Sequence, residues 1–178
     1  KDVYVKAASQ GSSVGCYHVT DKDCLWDKIL EAFNYSSEVL LEKSIAHREL
    51  EVAAYEMDRG LIITTPGEII MPDNVFYTFE EKYSQNSSTV TTVTPKGLSS
   101  EEIETIQDYA RRAFIGLKLR DLSRIDFFLS PEDGILINEI NTFPGETPIS
   151  MFPKMLTHHG DNMCEFLTQA VMRAIKSR

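Results

Sequence analysis

Two runs of alternating side chains in the last third of the sequence constrain the fold more than any other feature. Residues 124–129 and 135–141 each alternate with period two, and the segment between them, 130–134, contains Pro, Asp and Gly. Period-two alternation is typical of strands, and those three residue types are typical of a tight turn. The pattern predicts a β-hairpin.

The length of the turn fixes the expected pairing of these two strands. If residues 131–134 form the loop, Ser130 pairs with Ile135, and the same register places Asp126 opposite Glu139. Directly opposed carboxylates repel and destabilise a sheet unless something cationic lies between them. The register therefore predicts a cation at this position of the hairpin.

Two further polar side chains are expected on the same surface. Arg124 shares a face with Asp126, and the second strand presents Ile137, Glu139 and Asn141 together. Arg124 is then expected opposite Asn141. Two carboxylates and an amide suit Mg²⁺ or Mn²⁺ and suit zinc poorly. The alternatives are a solvated face with Arg124 as a surface partner, or another register caused by a bulge.

A glycine-rich loop, Gly-Ser-Ser-Val-Gly at residues 11–15, follows a predicted strand that ends in Lys6. Its backbone N–H groups and the hydroxyls of Ser12 and Ser13 could bind phosphate oxygens. The loop lacks the Walker A order, so a flexible hairpin tip is an equally good interpretation. A lysine and hydroxyl loop near one end of the chain and a carboxylate hairpin near the other could hold a nucleotide with its metal.

The rest of the chain reads as a mixture of strands and helices. Further strands are predicted at residues 16–19, 39–42 (short and buried), 49–55 and 61–65, the last two joined by a turn at 58–60. Helices are predicted after a capping signal at 20–23, from Ser99 with Glu102 as a capping box, and at about 161–176 with Phe166, Leu167 and Val171 in the core. Residues 66–95 read as one long connection, which is usually functional or mobile.

The net charge and the cysteine content argue against several classes of protein. Against 27 Asp and Glu the chain has 18 Lys and Arg, a net charge of −9, which argues against binding duplex nucleic acid. No apolar run approaches the roughly 18 residues of a membrane span. Three cysteines without a pairing motif support neither a disulfide framework nor a zinc site, and indicate a reducing cytoplasm. The first residues read as a strand already under way, so we expect the chain to begin within a domain.

At these motifs the sequence resembles the D-alanine-D-alanine ligases of the ATP-grasp superfamily. The matching segments occur in the family's order and are 5–6, 11–15, 41–42, 48–49, 76–77, 80–83, 123–128, 138–142, 144–145 and 150–151. The resemblance implies an α+β ATP-grasp fold, with antiparallel sheets, flanking helices and no N-terminal domain. It implies a partial central domain at residues 1–49 and a C-terminal domain at 50–178, with a mobile loop at about 72–95.

The resemblance also implies how ATP would be bound. Lys6 would contact the α and β phosphates, Glu42 the adenine amino group and Glu49 the ribose. Lys82 would reach the terminal phosphate. Further contacts to the nucleotide are implied for Ser12, Ser13, Ser44 and Ile45.

The remaining implied roles concern the reaction itself. The ligands of two Mg²⁺ or Mn²⁺ ions would be Asp126, Glu139 and Asn141. Arg124 and the Gly145 N–H would stabilise the oxyanion, and Ser150 would hold the carboxylate of the second D-alanine. Tyr83 with Ser12 would close a lid over the substrates, and Tyr83 favours an amine over a hydroxy-acid acceptor.

The implied activity is the ATP-dependent ligation of two D-alanine molecules through an acylphosphate, for peptidoglycan precursor synthesis. Glu146 departs from the family pattern, where a hydrophobic residue is usual, and leaves the identity of the acceptor open. The alternatives are another ATP-grasp carboxylate-amine ligase and a non-catalytic fragment that binds Mg²⁺ and nucleotide. The family suggests a cytoplasmic homodimer, and we expect this chain by itself to be nearly inactive.

Overall fold

The structure is a computed structural model that describes residues 2–70 and 90–176. Its described residues form two compact units, one of residues 2–46 and the other of residues 47–70 and 90–176. Lys82, Tyr83 and most of the loop predicted at about 72–95 lie outside the described residues.

The first unit is a three-stranded antiparallel sheet with one helix against it. Its elements are β1 (Val3–Ala7), β2 (Cys16–Val19), helix α1 (Leu25–Ala32) and β3 (Val39–Lys43), with the strands in the order β2-β1-β3. Val5, Val19 and Ala32 form its buried core. The strand predicted at 16–19 and the helix that follows it are confirmed.

Two details of the first unit differ from the sequence prediction. Asp21, whose side chain accepts from the Asp23 N–H, caps a single 3₁₀ turn, Lys22–Cys24, that leads into α1. The strand predicted to be buried at 39–42 is present, but Leu40 and Leu41 are exposed. Among the residues that the structure describes, α1 packs mainly against β1 and β2 and leaves the side chains of the edge strand β3 less covered.

The second unit is built on a six-stranded antiparallel sheet. Its strands are β4 (Arg48–Met57), β5 (Gly60–Ile63), β6 (Gly67–Ile70), β7 (Val90–Thr92), β8 (Leu122–Ser130) and β9 (Gly134–Asn141). The order is β7-β6-β4-β8-β9, and β5 pairs with β4 beyond the turn at residues 58–59. Its helices are α2 (Ser100–Gly116), α3 (Met151–His158) and α4 (Met163–Lys176).

Strand β4 is buried on both faces because helices pack on both sides of the sheet. Leu50 and Val52 face the cluster that contains α2. Ala53 and Tyr55 face the other cluster, which contains α3 and α4. The predicted capping box of α2 is confirmed, since Ser99 Oγ accepts from the Glu102 N–H and the Glu102 carboxylate accepts from the Ser99 N–H.

Three predictions for the second unit need correction. Residues 67–70 and 90–92, read as parts of one long connection, are strands, because each pairs with another strand. Helix α3 is additional, whereas α4 (Met163–Lys176) confirms the helix predicted at about 161–176. Leu167 and Val171 are exposed, whereas Phe166 is buried against Tyr55 and Phe152. The helical spacing defined an apolar face but could not show how much of it is covered.

Candidate active site

The hairpin of β8 and β9 pairs in the predicted register only at its far end. Near the turn, Ser130 pairs with Gly134 and not with Ile135, so the prediction there is wrong by one residue. Further along, Asp126 lies opposite Glu139, as predicted. A β-bulge on β9, with Asn138 as the extra residue, corrects the offset between the two regions.

The bulge also changes which side chains share a face. Ile137 lies opposite Phe127, on the face of the core that contains α2, whereas Glu139 lies opposite Asp126 on the other face. Ile137 and Glu139 therefore do not share a face, contrary to simple alternation. Asn141 lies opposite Arg124, as predicted. The bulge turns the Glu139 side chain toward the face that carries the other polar groups.

A row of three carboxylates crosses the sheet at this point. Glu51 on β4, Asp126 on β8 and Glu139 on β9 are direct cross-strand neighbours on one face. Glu51 and Asp126 are buried, and Glu139 is exposed. Such neighbours have Cβ atoms about 5 Å apart, so their charges repel strongly unless a cation lies nearby.

Arg124 supplies a positive charge to this row. Its Nε lies 2.8 Å from Asp126 Oδ1 and its Nη2 lies 2.7 Å from Asp126 Oδ2, a two-point ion pair. The same Nε lies 3.1 Å from Glu51 Oε1. Asn141 Nδ2 donates to Asp126 Oδ2 at 3.0 Å and lies 3.4 Å from Glu139 Oε1. Three carboxylates share one guanidinium, so negative charge remains in excess within this group.

The charge states follow from burial and from these contacts. Burial raises the pKa of Asp126 to about 6, with further contributions from Glu139 and Glu49, although the Arg124 guanidinium opposes the rise. Burial alone lowers the pKa of Arg124, but Asp126, Glu51 and Glu139 raise it overall, so Arg124 stays charged. A second cation would relieve the remaining repulsion and favour the ionised Asp126.

The oxygen donors of this group are of the type that a hard dication such as Mg²⁺ prefers. Asp126, Glu139 and Asn141, which were predicted as metal ligands, lie together and offer carboxylate and amide oxygens. Within the described ranges, no group of three or more His, Cys, Asp or Glu side chains is arranged to hold a metal ion. In this structure the guanidinium of Arg124 engages both oxygens of Asp126, so a metal ion there would share those oxygens with the guanidinium.

The loop after β9 brings Gly145 and Ser150 together. A Cβ on Gly145 would lie 2.8 Å from Ser150 Oγ, so a larger residue here would force the Ser150 hydroxyl to rotate away. Ser150 is the N-cap residue of α3, but its hydroxyl does not cap the helix and instead lies 2.9 Å from Thr147 Oγ1. Gly145 and Ser150, both predicted as site residues, are therefore neighbours in space.

The predicted phosphate loop lies in the first unit. Ser12 and Ser13 both have positive φ, 51° and 63°, a conformation that non-glycine residues adopt rarely and that is often associated with ligand sites. Gly15 also has positive φ, and a Cβ there would lie 2.8 Å from Ala7 Cβ. Lys6 Nζ lies 2.6 Å from Glu42 Oε2, which joins two residues that were predicted to bind different parts of the nucleotide.

Comparison with known proteins places this architecture in a family. The model of the family described as "D-ala D-ala ligase C-terminus" matches residues 2–172. The chain belongs to this ligase family. A D-alanine-D-alanine ligase from Tolumonas auensis is 56% identical over 174 residues, which are 98% of this chain and 53% of that protein. The chain thus spans about half the length of the curated relatives it matches.

Solved structures confirm the ATP-grasp ligase fold. D-alanyl-alanine synthetase A from Vibrio cholerae superimposes with a TM-score of 0.88 at 55% identity, over 97% of this chain and 52% of that one. The VanG D-Ala:D-Ser ligase from Enterococcus faecalis gives 0.81 at 29% identity, over 96% and 49%. None of the described helices of this ligase-family chain has the length and apolarity needed to cross a membrane.

The other residues predicted for the ligase-family site are placed as follows. Ser44 and Ile45 are half-buried just after β3, and the Ser44 N–H donates to the Asp2 carbonyl. Glu49 lies on β4 opposite Phe128, on the face that carries Glu51. Lys82 and Tyr83 fall outside the described residues, so their predicted roles stay predictions.

Glu51 was missed by the sequence analysis. Its signal was available, because residues 49–55 alternate with period two and Glu51 therefore shares a face with Glu49. A glutamate at that position has no distinctive spacing of its own. Only the pairing of β4 with β8 shows that Glu51 lies beside Asp126 and Arg124.

Proposed function

We propose that this chain carries the nucleotide, metal and acceptor sites of an ATP-dependent D-alanine-D-alanine ligase that makes a peptidoglycan precursor. The observation that carries the proposal is the arrangement of Asp126, Glu139, Asn141 and Arg124 on one face of the β8 and β9 hairpin. Family membership supports it. Because the chain spans about half the length of its relatives, the activity of a whole ligase is tested with a hybrid protein.

The first step of the proposed reaction transfers the terminal phosphoryl group of ATP to the carboxylate of one D-alanine. Asp126, Glu139 and Asn141 would hold two Mg²⁺ or Mn²⁺ ions, which would neutralise negative charge on the phosphates. Lys6 and the hydroxyls of Ser12 and Ser13 would bind the nucleotide phosphates. The products are ADP and an acylphosphate.

Further residues of this chain would orient the nucleotide. Glu42 would accept a hydrogen bond from the adenine amino group, and Glu49 would bind the ribose. Ser44 and Ile45 would line the adenine pocket. Lys82 would reach the terminal phosphate, and Tyr83 with Ser12 would close over the substrates.

In the second step the amine of another D-alanine attacks the acylphosphate, and phosphate leaves. Arg124 and the Gly145 N–H would stabilise negative charge on the carbonyl oxygen. Ser150 would hold the carboxylate of the second D-alanine. Its position at the start of α3 supports that role, because the N–H groups of a helix N-terminus favour an anion.

The acceptor is the least constrained part of the proposal. Glu146 follows Gly145 directly and is exposed, and partial desolvation raises its pKa above the usual value of a glutamate. The family usually has a hydrophobic residue there. A ligase that joins D-alanine to a different acceptor is therefore the second candidate, and a structural neighbour named a D-Ala:D-Ser ligase is consistent with it.

The test is dipeptide synthesis by a hybrid ligase, defined as this chain joined to the part of the Vibrio cholerae synthetase that it does not match. We expect ADP, phosphate and D-alanyl-D-alanine from ATP and D-alanine. D-serine and D-lactate are offered as competing acceptors. Preference for another acceptor would support the second candidate. A folded hybrid that binds Mg²⁺ and ATP but forms no ligation product would leave only a nucleotide-binding role.

The same hybrid tests the oligomeric state and the need for the half of its relatives that this chain does not match. We propose that the ligase is a cytoplasmic homodimer and that the 178-residue chain by itself is nearly inactive. Light scattering of the hybrid would give its mass. Turnover by the chain alone at the rate of the hybrid would show that the segment taken from the Vibrio cholerae synthetase is not needed.

A further inference from the structure

The proposed function gives no role to Glu51, although it is among the most buried charged residues of the described chain. Its side chain is 3% exposed, in the middle of β4, and Arg124 Nε lies 3.1 Å from its Oε1. A buried carboxylate is costly unless it is paired, and here it contacts a guanidinium that also contacts Asp126. Glu51 therefore belongs to the candidate active site and not only to the core.

Arg124 contacts two buried carboxylates, Glu51 and Asp126, and only Asp126 is also a proposed metal ligand. Asp126 uses both carboxylate oxygens for Arg124 and is also a proposed metal ligand. A metal ion on Asp126 would bind one of the same oxygens and place a second positive charge beside the guanidinium, which weakens the pair of Arg124 with Asp126. Glu51 lies on β4 and Glu139 lies on β9, on opposite sides of β8. Glu51 is not one of the proposed metal ligands.

We propose that Glu51 is the positioning residue of Arg124, holding the guanidinium in the site when a metal ion on Asp126 weakens the pair of Arg124 with Asp126. The inference rests on the proposed function, in which Asp126 binds metal and Arg124 acts on the oxyanion. Without Glu51, releasing Arg124 from Asp126 would leave the guanidinium without a buried carboxylate. Loss of Glu51 would therefore weaken metal binding, but only in a protein that still has Arg124.

A double-mutant cycle on Mn²⁺ affinity tests this dependence directly. Mn²⁺ binding to the hybrid ligase in the presence of ADP is followed by electron paramagnetic resonance. We expect Glu51→Gln to weaken Mn²⁺ binding about tenfold, within the range that coupled neighbours show. In an Arg124→Met background the same substitution should have no further effect. An equal effect in both backgrounds would make Glu51 a metal ligand or a remote charge and would overturn the proposal.

Two more variants separate positioning from charge and from stability. Glu51→Asp keeps the charge but shortens the side chain by one methylene. A positioning role therefore predicts weaker Mn²⁺ binding, whereas a purely Coulombic role predicts no change in Mn²⁺ affinity. Glu68 is a matched control because it is buried in the same sheet and pairs with Arg48 at 2.7 Å. Glu68→Gln should lower the melting temperature and leave Mn²⁺ affinity unchanged.

The outcome for Asp126 distinguishes this inference from the proposed function. If Asp126→Asn abolishes Mn²⁺ binding and Glu51→Gln has no effect that depends on Arg124, the positioning role alone fails. If Asp126→Asn leaves Mn²⁺ binding unchanged, the proposed metal site fails, and the proposed role of Glu51 fails with it.

Discussion

The Lys6 ammonium lies 2.6 Å from the Glu42 carboxylate, on neighbouring strands of the first unit. The proposed function assigns Lys6 to phosphates and Glu42 to adenine, at separate points of one nucleotide. Nucleotide binding would therefore have to separate the pair. The contact is half-exposed, so its own contribution to stability is small.

Replacing Lys6 should weaken nucleotide binding through the phosphates. We expect Lys6→Met to reduce the affinity of the hybrid for ATP and ADP about tenfold or more, because a charge-assisted hydrogen bond contributes about 1.5 to 3 kcal/mol. Adenosine affinity should change little. Isothermal titration calorimetry measures all three. Lys28→Met is a matched control, since Lys28 also pairs with a glutamate at 2.6 Å but lies on α1. A loss of adenosine affinity equal to that of ATP would contradict the phosphate role.

Removing either opposed carboxylate of the hairpin should impair metal-dependent binding. We expect Asp126→Asn and Glu139→Gln each to reduce the rise in melting temperature that Mg²⁺ and ATP produce, because a hard dication loses a charged ligand. Glu132→Gln, in the exposed turn of the same hairpin, is the control. Unchanged stabilisation in both site variants would show that these carboxylates do not hold the metal.

A side chain at residue 145 should damage the acceptor site without unfolding the protein. In Gly145→Ala the new Cβ would meet Ser150 Oγ at 2.8 Å, so the Ser150 hydroxyl must shift, which weakens its contact with Thr147. We expect a higher KM for the second D-alanine, with ATP affinity preserved. Steady-state kinetics of the hybrid measures both. Gly116→Ala is the control, because nothing lies within 4 Å of its Cβ position. Normal acceptor kinetics in Gly145→Ala would argue against Ser150 as the carboxylate partner.

The start of α2 depends on a reciprocal cap. Ser99→Ala removes the acceptor for the Glu102 N–H, which lies 3.1 Å from Ser99 Oγ. We expect about 1 kcal/mol of lost stability, the usual cost of removing such a cap. Urea unfolding followed by circular dichroism measures it. Ser100→Ala, one residue further along and inside the helix, should cost less. Equal losses of stability in the two variants would show that the Ser99 cap does not stabilise the helix.

Asp161 should make the free energy of unfolding of the second unit vary with pH in the acid range. Its carboxylate accepts from Arg59 and from the Tyr55 hydroxyl, and the Arg59 hydrogen bond in particular holds the pKa of Asp161 below its ordinary value of 3.8. The folded state therefore binds that proton less readily than the unfolded state does. The resulting stability is present above pH 3.8 and is lost as the pH falls through the lowered pKa.

The matching experiment compares Asp161→Asn with the unmutated chain across this range. We expect a lower melting temperature for the variant at pH 7 and a difference that shrinks only as the pH falls below 3.8. Asp133→Asn, in the exposed hairpin turn, provides a comparison at another aspartate. A difference between Asp161→Asn and the parent that stays constant with pH would contradict the charge-based account.

Local sequence signals determined the elements whose partners are close in the chain. The capping box at Ser99 and Glu102, the turn between β4 and β5, and the existence of the β8 and β9 hairpin follow from residue type and spacing. The motif order also indicated the ligase family. These features depend on contacts within a few residues, so a linear pattern contains the necessary information.

Tertiary structure decided the features that depend on distant partners. The bulge near Asn138 placed Ile137 and Glu139 on different faces, and alternation alone could not show it. Strands β6 and β7 form because other strands offer hydrogen bonds to them, and α4 is only partly covered because of what packs beside it. Glu51 joined the site through the pairing of β4 with β8. Sequence named the polar groups of the hairpin, but only strand pairing decided which charges meet, because electrostatic interaction depends on distance in space.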